Sequence, residues 1–193
     1  MKSLEETIAA LSAKLLALDP GPLAELRRME PEGVGTSIFW RLVSQCGLPA
    51  EKTEVWMQIV RILAILTPKP SQNASVRLHD RSCHFGQALC DGGNPAWPSE
   101  PQKPRPELSE ARLARLLATP ASQRGDAIER IARMLARRRS PAVGINCTEI
   151  ALLLLDQDNP LPLQNVARYY YARLDRADHT SNQANEIMEG TAA

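Results

Sequence analysis

The stretch that decides the fold is residues 107–139, which read ELSEARLARLLATPASQRGDAIERIARMLARRR. Apolar residues recur in it every three or four positions, on both sides of a short break that follows Pro120 and ends at Asp126. This spacing is typical of amphipathic helices and predicts two of them in succession. The second helix should carry an apolar stripe on one side and an arginine stripe on the other. The apolar stripe consists of Ile128, Ile131, Ala132 and Leu135, and the arginine stripe of Arg130, Arg133 and Arg137.

The arginine stripe has two interpretations. A charged helix face is most often simply solvated. Here, however, the outer face carries arginine almost exclusively, and we expect no glutamate four positions earlier to pair with each of them. Between residues 107 and 140 there are eight arginines and four acids, although the whole chain has a net charge of only +1. Since guanidinium groups are planar, permanently charged and suited to phosphate, this local excess favours a phosphate-binding surface.

Composition bounds the class of protein. With 193 residues, 44% of them hydrophobic and 23% charged, the chain can bury a substantial core. Aromatic residues are scarce, at 4%, and helix-forming residues are abundant, so the predicted fold is all-α. The four cysteines have no paired spacing and the first residues lack a signal-peptide core, which indicates reduced thiols and a cytoplasmic location. The longest apolar run is too short to cross a membrane.

Proline positions divide the chain. Five prolines fall within residues 91–106, and proline cannot sustain a helix interior. We therefore expect two small helical bundles joined by a stiff linker. The predicted parts are an N-terminal helical bundle at 1–90, a Pro-rich linker at 91–106, a C-terminal Arg-rich bundle at 107–176 and a polar, frayed tail at 177–193.

Two local features fix helices in the first bundle. Ser3 lies three residues before Glu6, which is the spacing of a capping box and predicts the start of the first helix. Residues 50–66 are apolar around most of a helical circumference, so they should form the central helix of that bundle. A loop is expected at residues 71–75, and a helix that carries three neighbouring tyrosines is expected at 161–176.

Enzymatic and metal chemistry find little support in the sequence. The pair His79-Asp80 resembles the dipeptide of metal-dependent HD phosphohydrolases, but only two other histidines could complete such a site. His79, Cys83, His84 and Cys90 lack the CxxC spacing of a zinc knuckle, so we interpret them as loop and core residues. Phosphate-binding glycine loops and nucleophile motifs are also missing. We therefore predict no catalytic residue, no metal and no cofactor.

Several segments together resemble the CasB family, the small subunit of the type I-E CRISPR surveillance complex Cascade. The resemblance covers roughly residues 4–175 and depends on the order of the segments rather than on any one of them. These are LAELRR at 23–28, FWRLV at 39–43, GQAL at 86–89, SEARLARLL at 109–117, and the Arg-rich helix that follows.

This resemblance implies a non-catalytic protein of two all-α bundles that acts in antiviral defence. Its implied partners are the other Cascade subunits, guide RNA, the displaced strand of target DNA, and a second copy of itself, with no membrane involved. Because guide pairing reads the sequence, such a subunit needs a basic surface that contacts the nucleic-acid backbone and stabilises the R-loop. The scarcity of aromatic residues agrees with contact mainly to backbone rather than to bases.

The predicted nucleic-acid-binding residues are arginines of both halves. Arg41 also matches the family, either as a basic contact or as a structural ion-pair partner. The alternative function is a helical adaptor whose arginines meet acidic protein surfaces without contacting nucleic acid. The predicted set comprises Arg27, Arg28, Arg112, Arg115, Arg130, Arg133, Arg137 and Arg138.

Overall fold

The computed structural model describes residues 2–68, 76–98 and 104–190, with residues 178–190 as backbone alone. Within these ranges the chain forms nine helices, and its extended structure is limited to one parallel bridge between His79 and Ile145. The predicted all-α fold is confirmed. The predicted loop at 71–75 lies outside the described residues. The helices are α1 (Leu4–Leu16), α2 (Pro20–Arg28), α3 (Ser37–Cys46), α4 (Thr53–Leu66), α5 (Phe85–Asp91), α6 (Glu110–Leu117), α7 (Ala121–Arg138), α8 (Cys147–Leu155) and α9 (Leu161–Gly190).

Local chemistry sets the ends of several helices. The predicted capping box is present at α1, where Ser3 Oγ accepts from the Glu6 amide at 3.2 Å and Glu6 Oε2 accepts from the Ser3 amide at 2.7 Å. Thr36 caps α3 in the same way, because its hydroxyl accepts from the amide of Phe39. Gly92, in the left-handed region with φ of 65°, ends α5.

Helix α4 lies at the centre of the molecule. Nine of its residues are buried, as its all-round apolarity predicts. It packs against α1 and α2 of the N-terminal half and also against α7 and α8 of the C-terminal half. The buried side chains of both halves therefore form one continuous core, and a division into two bundles is not confirmed.

Another contact between the halves joins α5 to α9. Gly86 makes it possible, since a Cβ atom built there would lie 2.1 Å from the carbonyl oxygen of Val166. Described parts of the predicted linker also pack on this pair: Trp97 is buried, and its backbone carbonyl accepts from Arg173 Nη2 at 2.9 Å. These parts of 91–106 thus belong to the folded body and are not confirmed as a linker, while residues 99–103 lie outside the described part.

Helix α9 continues beyond its predicted end at residue 176. The backbone of the expected polar tail is helical as far as Gly190, so α9 is longer than predicted, and the fraying of this segment stays a prediction. Among the described helices, none combines the length and the apolarity that crossing a membrane requires.

A polar contact ties α1 to the start of α8. Glu5 Oε1 lies 2.8 Å from His79 Nε2, and Glu5 Oε2 accepts from the Thr148 hydroxyl at 2.6 Å. Arg81 also pairs with this carboxylate at 3.2 Å. Burial raises the pKa of Glu5, but the hydrogen bonds from Thr148 and His79 outweigh it and lower the pKa below its ordinary value.

The substitution Glu5→Gln should therefore cost stability in a pH-dependent way. A carboxyl group with a lowered pKa in the fold stabilises it above the pKa of the unfolded chain and loses this effect as the pH falls. We expect Glu5→Gln to lower the free energy of unfolding by about 1 kcal/mol at neutral pH, and the difference to shrink below about pH 4.5. Urea unfolding of both proteins between about pH 6 and about pH 3 measures this. The exposed Glu25→Gln should change nothing, and a pH-independent loss for Glu5→Gln would contradict the assignment.

Candidate nucleic-acid interface

Arg27 binds backbone carbonyls within the fold. Its Nε donates to the Ala64 carbonyl at 2.8 Å and its Nη2 to the Thr67 carbonyl at 2.9 Å. These carbonyls belong to the C-terminal end of α4, where helical acceptors have no partner within the helix. Burial lowers the pKa of Arg27. This side chain therefore caps α4 and joins it to α2.

Arg28 and Arg41 are exposed on the N-terminal half. Arg28 donates through Nε to the carbonyl of Ala24 in its own helix, at 3.2 Å. Arg41 lies on α3 and has no hydrogen-bond or ion-pair partner among the described residues. Neither lies on the C-terminal helices that carry most of the predicted set.

Arg133 and Arg138 have carboxylate partners. Arg133 forms hydrogen bonds to Glu129 through Nε at 3.2 Å and Nη2 at 2.7 Å, and Arg138 Nη1 lies 2.6 Å from Glu107 Oε2. The expectation that no glutamate would stand four positions before each arginine is therefore wrong at Arg133. Glu129 is also bound by Arg61 of α4 at 3.1 Å, so Arg133 shares a carboxylate that fastens α7 to α4.

Four arginines of the predicted set remain unpaired. Arg112 and Arg115 on α6 and Arg130 and Arg137 on α7 are all exposed, and none has a hydrogen-bond or ion-pair partner among the described residues. Arg130 and Arg137 lie two helical turns apart on one face of α7. We call these four residues the α6–α7 arginine face.

A cleft opens between α6 and α7 within this face. Its volume is about 240 Å³. Three of the four unpaired arginines stand at its rim, and its floor is apolar. It is lined by Leu108, Arg112, Arg115, Leu116, Thr119, Ala127, Arg130, Ile131 and Met134.

The predicted apolar stripe holds α7 in position. All four of its residues are buried against the core, which confirms the prediction. Two further arginines lie on the same side: Arg124 donates to the carbonyls of Leu153 and Gln157 at the end of α8, and Arg139 to that of Leu66 at 2.7 Å. Their spacing from the stripe, four residues before Ile128 and four after Leu135, is a sequence signal of burial.

His79 and His84 have carboxylate partners, and the four cysteines are buried. His84 Nδ1 lies 2.6 Å from Glu149 Oε1, and its ring stacks on Tyr169 with a centroid separation of 3.5 Å. Burial raises the pKa of both Cys83 and Cys147 to about 12, which keeps these thiols protonated. Within the described ranges, no group of three or more potential ligands could hold a metal ion.

The central tyrosine of α9 belongs to the core. Tyr170 is fully buried, and its hydroxyl donates to the Leu108 carbonyl at 2.6 Å. Since Leu108 also lines the cleft, this bond fixes the segment that leads into α6 against α9. The face is therefore built on two helices that are each anchored to the core.

Comparison with known proteins gives one match. The model of the family described as CRISPR-associated protein Cse2 matches residues 22–173, well over half of the chain. This range includes the whole α6–α7 arginine face. No curated protein and no solved structure matched the chain significantly.

Proposed function

The chain belongs to the family of CRISPR-associated protein Cse2, that is CasB, and from that premise we propose that it holds nucleic-acid phosphates on the α6–α7 arginine face. Membership makes it a Cascade subunit in CRISPR defence. The finer role, which we propose here, is to stabilise the displaced DNA strand of the R-loop by contact with its backbone.

The proposal rests on one observation: four exposed arginines have no hydrogen-bond or ion-pair partner among the described residues. Arg133 and Arg138 have glutamate partners, whereas Arg112, Arg115, Arg130 and Arg137 have no partner among the described residues. Four unpaired cations on two adjacent helices repel one another, and an anionic ligand relieves that repulsion. A phosphate backbone supplies anions at regular spacing and binds through release of its counterions.

The way in which Cascade recognises DNA limits the role of the α6–α7 arginine face. Guide RNA reads the target sequence by base pairing, so this subunit needs to hold the displaced strand without reading it. We propose that the other Cascade subunits and a second copy of this chain extend the track beyond one cleft. We propose a non-catalytic role, because membership of the family implies one.

Removal of the three rim arginines tests the proposal. In Cascade assembled with the variant Arg112→Ala/Arg115→Ala/Arg130→Ala, we expect R-loop affinity to fall roughly tenfold or more at moderate salt. The slope of log affinity against log salt should decrease by about 2, because three contacts to a single strand are lost. Equilibrium binding of target DNA across a salt series measures both values.

A comparison with the paired arginines separates this role from that of an adaptor. Arg133→Ala/Arg138→Ala removes two cations that already have carboxylate partners, so it should change affinity and slope much less per residue. Unchanged DNA affinity and slope for the triple variant would refute the proposal. If the triple variant instead failed to join the complex, the arginines would be binding an acidic partner surface, as the alternative function predicts.

A further inference from the structure

The apolar floor of the cleft is not explained by phosphate binding. Leu116 and Ile131 are 2% and 9% exposed, and Ala127 and Met134 are half-buried at its walls. A surface that contacted only a phosphate backbone would gain nothing from a recess lined by these side chains. The recess lies directly between the unpaired guanidinium groups of α6 and α7.

We propose that the α6–α7 cleft receives one unstacked nucleobase of the displaced strand, while the rim arginines bind the phosphates on either side of it. The inference rests on the proposed function and adds to it a contact with the base. It also extends an expectation from the sequence, because scarce aromatic residues predict contact mainly with the backbone.

The chemistry of the cleft suits a base in three ways. A base has apolar faces, which the floor can cover, and guanidinium planes at the rim can stack on it. Its edges carry hydrogen-bond acceptors, for which Arg112, Arg115 and Arg130 supply unused donors. The Thr119 hydroxyl donates its proton to the Arg115 carbonyl at 2.7 Å, which leaves its oxygen free to accept from an N–H group, which every base carries.

A nucleotide also fits the charge pattern better than an acidic peptide. Three cations surround a single recess of about 240 Å³, so the ligand must combine one compact apolar group with several closely spaced anions. A nucleotide with its two flanking phosphates has this composition. None of the contacts distinguishes one base from another, which agrees with a strand whose sequence the complex does not need to read.

The test uses target DNA in which the displaced strand cannot reanneal. In one bubble the displaced strand is oligothymidine, and in the other it is an abasic backbone of the same length and charge. The target strand pairs with the guide identically in both. Dissociation of the R-loop from assembled Cascade should be about fivefold or more slower with oligothymidine. The variant Ala127→Leu, which fills the recess and leaves the arginines in place, should remove this difference without changing the rate for the abasic strand.

The outcomes distinguish the two proposals. Equal rates for the two strands in the wild type would overturn the base pocket, and that comparison does not depend on any variant folding correctly. The proposed function would still stand if the triple arginine variant then flattened the salt dependence on the abasic strand. Equal rates together with loss of a partner subunit from the Ala127→Leu complex would assign the cleft to a protein ligand instead.

Discussion

Replacement of Gly86 by alanine is expected to destabilise the protein by about 3 kcal/mol or more. The new Cβ would lie 2.1 Å from the carbonyl oxygen of Val166 and 3.1 Å from the Cβ of Tyr169. The nearest of these atoms belongs to the backbone of α9, so a change of side-chain rotamer cannot relieve the clash. Instead α5 and α9 would have to separate along their contact, which joins the two halves of the chain.

Equilibrium unfolding in urea measures this loss. The matched control is Gly21→Ala, since Gly21 lies in α2 and a Cβ there would meet nothing within 4 Å. Alanine favours helix over glycine, but a Cβ on the residue before Pro22 is disfavoured in helical conformation, so this control should change the free energy of unfolding by less than about 1 kcal/mol. A small effect of Gly86→Ala, comparable with that of the control, would show that the α5–α9 contact is not as close as the structure has it.

The helices themselves could be predicted because their signals are local. The Ser3 and Glu6 pair and the periodic apolar stripe of α7 each depend on residues within a few positions of one another. The inward and outward faces of α7 are therefore as predicted, but the helix begins at Ala121, five residues before the predicted start at Asp126. α9 was predicted too short because a polar sequence gives no apolar periodicity by which to follow a helix.

The joining of the two halves could not be predicted in this way. The all-round apolarity of α4 indicates that it is covered but not which helices cover it. Helices α7 and α8, from the other side of the proline-rich segment, cover it. Likewise GQAL at 86–89 resembles a family segment, but the sequence does not explain its glycine. The reason is the close approach of α9, whose Val166 carbonyl leaves no room for a Cβ atom at Gly86.

For the candidate site, sequence identified the arginines but not their partners. Arg112, Arg115, Arg130 and Arg137 remain exposed as expected, and their binding role stays a prediction. Arg27 donates to carbonyls 37 and 40 residues further along the chain, a contact that depends on how α2 packs on α4. An arginine that caps a helix and an arginine that binds a ligand look the same in the sequence, because both are simply positively charged residues.

Arg139 and Arg137 provide a direct test of that distinction. Arg139 is 8% exposed and donates to the carbonyls of Arg77, Val143 and Leu66. Arg139→Ala would leave these acceptors without a protein donor, including one at the end of α4. We expect it to lower the free energy of unfolding by about 3 kcal/mol, as measured by urea unfolding.

Arg137→Ala is the matched variant, two residues away on the same helix end. Arg137 is exposed and has no partner among the described residues, so its loss should change the free energy of unfolding by less than about 0.5 kcal/mol. In assembled Cascade it should weaken DNA binding severalfold and reduce the salt slope by about 0.7. Arg139→Ala, measured where it is still folded, should leave that slope unchanged, because its charge faces carbonyl groups and not a ligand. If both variants lowered the free energy of unfolding, or if both reduced the salt slope of DNA binding, the division between capping and ligand-binding arginines would be wrong.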